Sequence, residues 1–195
     1  TLVCHPSVGV KTLQELITKA KAQPMAYASG GPGVPGHLSM ELLQYMGGFD
    51  MRHVPYKGPA PATQDVLSGQ VPCGLLAGPT VLPHVRSGKL KALAVTTAKR
   101  SAAVPELPTV AESGLPGYEA TAWFGVLAPA ATPPQIIASL NAAIVKIVRT
   151  HDMQERLMAE GSEAVGNTPE QFAAMIKGEI EQNFRLVRLA GIKPE

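Results

Sequence analysis

The chain has 195 residues, a formal net charge of +2, and 45% hydrophobic against 16% charged residues. That length can bury a sizeable core in one large or two small domains, and the balanced charge, with no basic run beyond Lys99-Arg100, argues against a nucleic-acid partner. No apolar run approaches the roughly 20 residues that cross a bilayer, no leader-type segment is evident, and a first residue of Thr1 reads as a mature form or a fragment.

In chain order, residues 1–4 read as a short strand ended by His5-Pro6-Ser7. Thr12 with Glu15 three positions on is a capping box, and Leu13, Leu16, Ile17 and Ala20 share one face of the helix that follows. Residues 25–28 form a β-compatible lead into Ser29-Gly30-Gly31-Pro32-Gly33-Val34-Pro35-Gly36, which opens onto a helix over 37–46 ended by Gly47-Gly48. A strand at 52–56 runs into a second loop at Tyr56-Lys57-Gly58. A short helix at 61–67, a strand at 71–76, a helical turn or two at 80–86 and a strand at 90–96 come next. This β-loop-α rhythm predicts a mostly parallel sheet covered by helices, with ligands beyond the carboxyl ends of the strands, where both glycine-bearing loops fall. Residues 98–117 form a long loop, and 119–128 a strand with Trp123-Phe124 in the core.

Beyond Pro133-Pro134 only helices are expected. Ile136, Ile137, Leu140, Ile144 and Ile147 make a wide apolar stripe, a second helix covers about 152–160, and Thr168, Pro169 and Gln171 open a third as cap, first position and box. Three such faces need a sheet to pack on, and this part of the chain brings one strand. That deficit suggests missing sequence.

A strand, a glycine loop and a helix start together make an anion site. The first-turn N–H groups lack intrahelical partners and carry partial positive charge, and glycines let the backbone approach a phosphate or carboxylate. Gly31, Gly33 and Gly36 satisfy G-x-G-x-x-G, which raises a nucleotide-dependent α/β enzyme as an alternative. The ribose-binding acid that should end the next strand is absent, however, since that strand ends in Tyr56-Lys57 and Asp50 precedes it. Ser29 with His37 lacks a third residue to orient the histidine, so a turn serine and a first-turn histidine are the favoured reading. Lys57 reads equally as a ligand-facing cation or a solvated side chain. His53, His84 and His151 show no partners in the sequence. Cys4 and Cys73, both in apolar strand-like surroundings, read as buried free thiols in preference to a disulfide, and His5 beside Cys4 is too little for a metal site.

Several stretches together resemble the solute-binding receptors of tripartite tricarboxylate transporters, the TctC or Bug family. They are Tyr27-Ala28-Ser29-Gly30-Gly31-Pro32-Gly33, His37-Leu38, His53-Val54-Pro55-Tyr56-Lys57-Gly58, Ser87-Gly88-Lys89-Leu90-Lys91-Ala92-Leu93-Ala94-Val95-Thr96, Val104-Pro105-Glu106-Leu107-Pro108-Thr109-Val110-Ala111-Glu112-Ser113-Gly114, and Trp123-Phe124-Gly125 with Ala128-Pro129. The resemblance implies an α/β fold like that of type II periplasmic binding proteins, with one complete α/β domain plus the C-terminal part of a second. Residues 1–7 and 119–128 would be hinge crossover strands, 8–118 the complete ligand-binding domain, and 129–195 the helical return to the other domain, whose opening third has no counterpart here.

The implied function is non-catalytic and needs no cofactor: capture of a small organic carboxylate in the periplasm and delivery to membrane permease subunits. A ligand-sensing domain coupled to a signalling partner is a further alternative. Carried over by position, Ser29, Gly30, Gly31, Gly33, Val34 and His37 would form one ligand loop and Tyr56, Lys57 and Gly58 the other. Val34 stands where the family usually has Ser and removes a hydroxyl. Cys73 stands where an acid is common, which weakens the case for an amine-bearing ligand. The orphaned helix faces are expected to drive self-association of this chain.

Overall fold

A computed structural model describes residues 1–189. The elements run β1 (Leu2–Cys4), α1 (Leu13–Ala22), β2 (Ala26–Ser29), α2 (Pro35–Gly47), β3 (Arg52–Pro55), α3 (Pro59–Leu67), β4 (Cys73–Leu75), α4 (Gly78–Arg86) and β5 (Lys91–Ala94), followed by α5 (Pro134–Val148), α6 (His151–Ala159) and α7 (Pro169–Leu189). The two sequence-read capping boxes both form: Thr12 Oγ1 accepts from the Glu15 amide, and Thr168 Oγ1 from the Gln171 amide. Each box closes with a return bond, Glu15 reaching the Lys11 amide and Gln171 Oε1 the Thr168 amide.

The strands form one sheet in the order β3-β2-β4-β1-β5. β2 is parallel to β3 and β4, whereas β1 is antiparallel to both of its neighbours. Two reversals restore the direction, so β5 points the same way as β2, β3 and β4. Successive strand residues alternate between two cores, as a pleated sheet with helices on both faces requires. Leu2, Tyr27 and Leu75 pack with Leu13, Leu16, Met40 and Leu43 of α1 and α2. Val3 and Ala28 pack with Ala62, Val66 and Val81 of α3 and α4.

Two sequence expectations are corrected here. Cys4 and Cys73 are buried, as expected, but they form a disulfide. The reason is register: β1 and β4 place the two residues directly opposite one another in an antiparallel pair, their Cα atoms 4.0 Å apart. Residues 119–128 form no strand. The Ala120 amide donates to Thr96 O, but beyond it no described strand lies alongside to complete a ladder. Phe124 is accordingly 82% exposed rather than core, and Trp123 lies edge-on to Phe172 of α7 with its indole N–H on Glu179.

The helices α5 to α7 leave Ile136, Leu140, Ile147, Ile180 and Phe184 exposed. They touch the sheet domain at defined points, including a bond from Arg86 Nη1 of α4 to Ala159 O at the end of α6 (3.0 Å).

Replacing both cysteines by serine should lower unfolding stability by about 4 kcal/mol, since the bridge closes a loop with a sequence separation of 69. Urea unfolding of the oxidised protein and the double variant checks this, and equal midpoints would contradict it.

Candidate functional site

The register of the parallel strands brings three chain segments to one edge. Ser29 pairs with Pro55, and Ala28 with Gly74, so Ser29, Pro55 and Leu75 stand level where β2, β3 and β4 end. Each strand then turns directly into a helix. The helix starts at Val34-Pro35, Gly58-Pro59 and Gly78-Pro79 all carry proline in the first two positions, where a missing N–H costs nothing.

None of these three helices has a side-chain cap. Among the described residues, the N–H groups of Val34 and Gly36, of Lys57 and Ala60, and of Ala77 and Gly78 have no hydrogen-bond acceptor. Two unpartnered amides at each of three helix starts make an edge of positive partial charge. Such an edge suits carboxylate or phosphate oxygens and has nothing to offer a cation.

Glycine serves two separate purposes in the first loop. Gly31 has φ 140°, and a Cβ there would sit 3.0 Å from Tyr56 O, so the loop folds close over the second strand end. Gly36 is a packing residue: a Cβ would lie 2.3 Å from Leu75 O, backbone against backbone, so only glycine lets α2 start directly above β4. The G-x-G-x-x-G pattern thus has a steric origin in this chain.

Beneath the loop lies a stack that the sequence reading missed. The His53 ring is sandwiched between His37 (centroids 4.0 Å apart) and Tyr27 (4.9 Å). His53 Nε2 lies 2.7 Å from Ser29 Oγ, which also accepts from the Gly31 amide. His37 Nδ1 accepts from the Gly33 amide at 3.0 Å, and its Nε2 faces Glu41 at 3.7 Å. The Tyr27 hydroxyl donates to the same Glu41 carboxylate (2.7 Å). Burial, followed by the neighbouring His37, pulls the His53 pKa down to about 4.

The sequence-derived candidates therefore separate into groups. Gly30, Gly31, Gly33 and Val34 sit in the first loop and Lys57 and Gly58 in the second, drawn together by a bond from the Gly58 amide to Gly30 O. Lys57 is exposed and, among the described residues, makes no ion pair. Ser29 is fully buried, and His37 nearly so, and both brace the loop from below. The Tyr56 hydroxyl donates to Asp65 of α3, and burial together with that bond pushes its pKa up to about 12.

The serine–histidine pair that forms is Ser29 with His53, and the serine is inaccessible to any substrate. Cys73 is buried below the edge and locked in its disulfide, so it offers a ligand neither a carboxylate nor a free thiol. Sequence reasoning also missed the third helix start, Ala77-Gly78, although its strand–Gly–Pro–helix grammar matches the second loop.

The profile of the family "Tripartite tricarboxylate transporter family receptor" matches residues 1–192. The chain belongs to this family. Protein BugT of Bordetella pertussis is 39% identical over 98% of the chain. Among solved structures, R. palustris Rpa4515 with adipate is 36% identical over the whole chain with TM-score 0.95, and MatC (Rpa3494) from Rhodopseudomonas palustris with bound malate is 31% identical over 95% of it with TM-score 0.83. The chain spans 60% of BugT, 66% of Rpa4515 and 65% of MatC. The α/β fold read from the sequence is thus also that of the periplasmic binding protein BugD, 31% identical over the whole chain and 67% of its own, with TM-score 0.91.

Because the His53 pKa is lowered on folding, the unfolded chain binds this proton first as pH falls below about 6.5. Stability should therefore decline between about pH 6.5 and 4, with a shallower decline in His53→Gln, whose amide can still meet Ser29. Urea midpoints across that range measure it; an unchanged slope in the variant would contradict the assignment.

Proposed function

We propose that this chain is the ligand-holding part of an extracytoplasmic receptor that captures a small organic carboxylate and delivers it to the permease subunits of a tripartite tricarboxylate-type transporter, without catalysing a reaction. The observation that carries this reading is the set of three uncapped helix starts along one sheet edge. Backbone amides bind a carboxylate without bringing a cation or a nucleophile to it, as a protein that must later release its cargo unchanged requires. The adipate in Rpa4515 and the malate in MatC support a small dicarboxylate as the ligand class.

Two details weigh against the nucleotide-dependent alternative. In the glycine loop the Gly31 and Gly33 amides are already taken, by Ser29 Oγ and His37 Nδ1, so these two glycines of the G-x-G-x-x-G pattern do not present their N–H groups to a pyrophosphate. The second strand end offers Tyr56 and Lys57 and no acid for a ribose. The buried Cys4–Cys73 disulfide supports a periplasmic location, since such bonds persist in oxidising compartments.

In this reading residues 8–118 are the ligand-binding domain, residues 1–7 and 119–128 are the hinge segments, and the chain from 129 belongs to the opposing domain; of that last part, 190–195 lie outside the described residues. Ser29, Gly30, Gly31, Gly33 and His37 build one jaw loop, and Tyr56, Lys57 and Gly58 the other. Val34 caps α2 without a hydroxyl, which lowers the number of polar contacts open to a highly charged ligand.

Calorimetric titration of the full-length protein with adipate and malate should give micromolar dissociation constants for at least one, and none for NAD. Failure of every small carboxylate below millimolar, with NAD bound, would overturn the proposal. Val34→Ser should add about 1 kcal/mol of stability through a restored cap on the Gly36 amide; thermal melts check it. The 195-residue chain alone should self-associate through the exposed faces of α5 to α7. Sedimentation velocity tests this, and a clean monomer at tens of micromolar would contradict it.

A further inference from the structure

The residue at the third position of α2 ordinarily offers a carboxylate or amide that reaches back to the cap residue's own N–H. Here that position holds His37, and its Nδ1 reaches one residue further, to the Gly33 amide. The consequence is selective: Gly33 is pinned, while Val34 and Gly36 on the helix itself keep their amides open. An N–H donating to Nδ1 requires a lone pair there, so the neutral ring carries its proton on Nε2, facing Glu41.

The remaining neighbours fix the position of the ring and its tautomer. From β3, the His53 ring lies parallel to His37 within 8°, which keeps the imidazole from tilting out of its slot. From β2, Tyr27 and, from α2 itself, Gln44 both donate to Glu41 Oε1, which fixes the carboxylate that faces Nε2. Asp50 adds negative charge near Tyr27, and Ser29 holds the far ring of the stack. A proton added to Nδ1 would set two donors head to head at 3.0 Å, and the loop would have to let go.

We propose that His37 is a positioning residue whose unprotonated Nδ1 clamps the Gly33 amide, setting the glycine loop for its ligand and making ligand capture fail when that nitrogen is protonated. The clamp deepens the carboxylate-receptor reading and rests on it only for its effect on ligand. His37 acts through the loop, since Nδ1 is engaged by the Gly33 amide, Nε2 faces Glu41, and the side chain is buried. The pKa of His53, depressed first by burial and then by His37 beside it, fits this arrangement.

The test uses the full-length protein without ligand. Nitrogen-15 NMR at pH 8 should show His37 protonated on Nε2 alone. When acid is added until Nδ1 gains its proton, the Gly33 amide should shift with the same midpoint, and its hydrogen exchange should accelerate at least tenfold beyond the change of a reference loop amide. His37→Asn places an amide oxygen where Nδ1 stood and should hold the Gly33 amide constant over the same range; His37→Phe should give the released loop at every pH, with thermal melts confirming that both variants fold. A proton on Nδ1 at pH 8, or a Gly33 amide that ignores the titration, would overturn the clamp. Adipate affinity should fall about tenfold more in the wild type than in His37→Asn across that same titration, and an equal fall in both would overturn its control of capture. If adipate, malate and other small carboxylates bind to neither protein at any pH, the receptor reading fails, while the NMR result still decides the clamp.

Discussion

The parallel pairing of β2 with β3 and β4 sets the geometry of everything at the ligand edge. It places Ser29, Pro55 and Leu75 at one level, and each helix then starts within a few residues of that level. A slip of one residue would reverse the faces of a strand and send its loop elsewhere. The buried pair Cys4–Cys73 ties β4 to β1, and cross-strand packing on both faces opposes such a slip. The edge is thus set by elements that do not themselves meet a ligand.

On that frame the chain keeps its helix starts uncapped at a cost. A serine, threonine or aspartate at positions 34, 58 or 77 would stabilise its helix by about 1 kcal/mol, and α1, away from the edge, has such a cap in Thr12. At the edge the caps are Val34, Gly58 and Ala77, none of which can accept a hydrogen bond through its side chain. Leaving amides open where a local cap would serve stability is intelligible if an exchangeable acceptor completes them. The histidine stack adds a second constraint, holding the first loop from beneath by bonds that bypass the open amides.

Much of this was legible in the sequence because it rests on local chemistry. Thr12 with Glu15 and Thr168 with Gln171 announced helix starts, the strand-loop-helix rhythm gave the sheet, and Gly31, Gly33 and Gly36 marked the first loop. What stayed hidden depends on register between distant segments. Cys4 faces Cys73 only because β1 and β4 pair at that offset, and Tyr27 stacks on His53 only because those two are partners across β2 and β3. The Ala77-Gly78 start escaped notice because one glycine after a strand is a common turn. Residues 119–128 have strand composition, but composition cannot supply the neighbour that makes a ladder.

In the proposed receptor, backbone amides at three helix starts hold the carboxylate. A crystal structure of the full-length protein with adipate tests it most directly. Carboxylate oxygens should lie about 3 Å from amides of at least two of the pairs Val34/Gly36, Lys57/Ala60 and Ala77/Gly78. A carboxylate held instead by side-chain cations, or a ligand bound away from this edge with those amides still open, would contradict it.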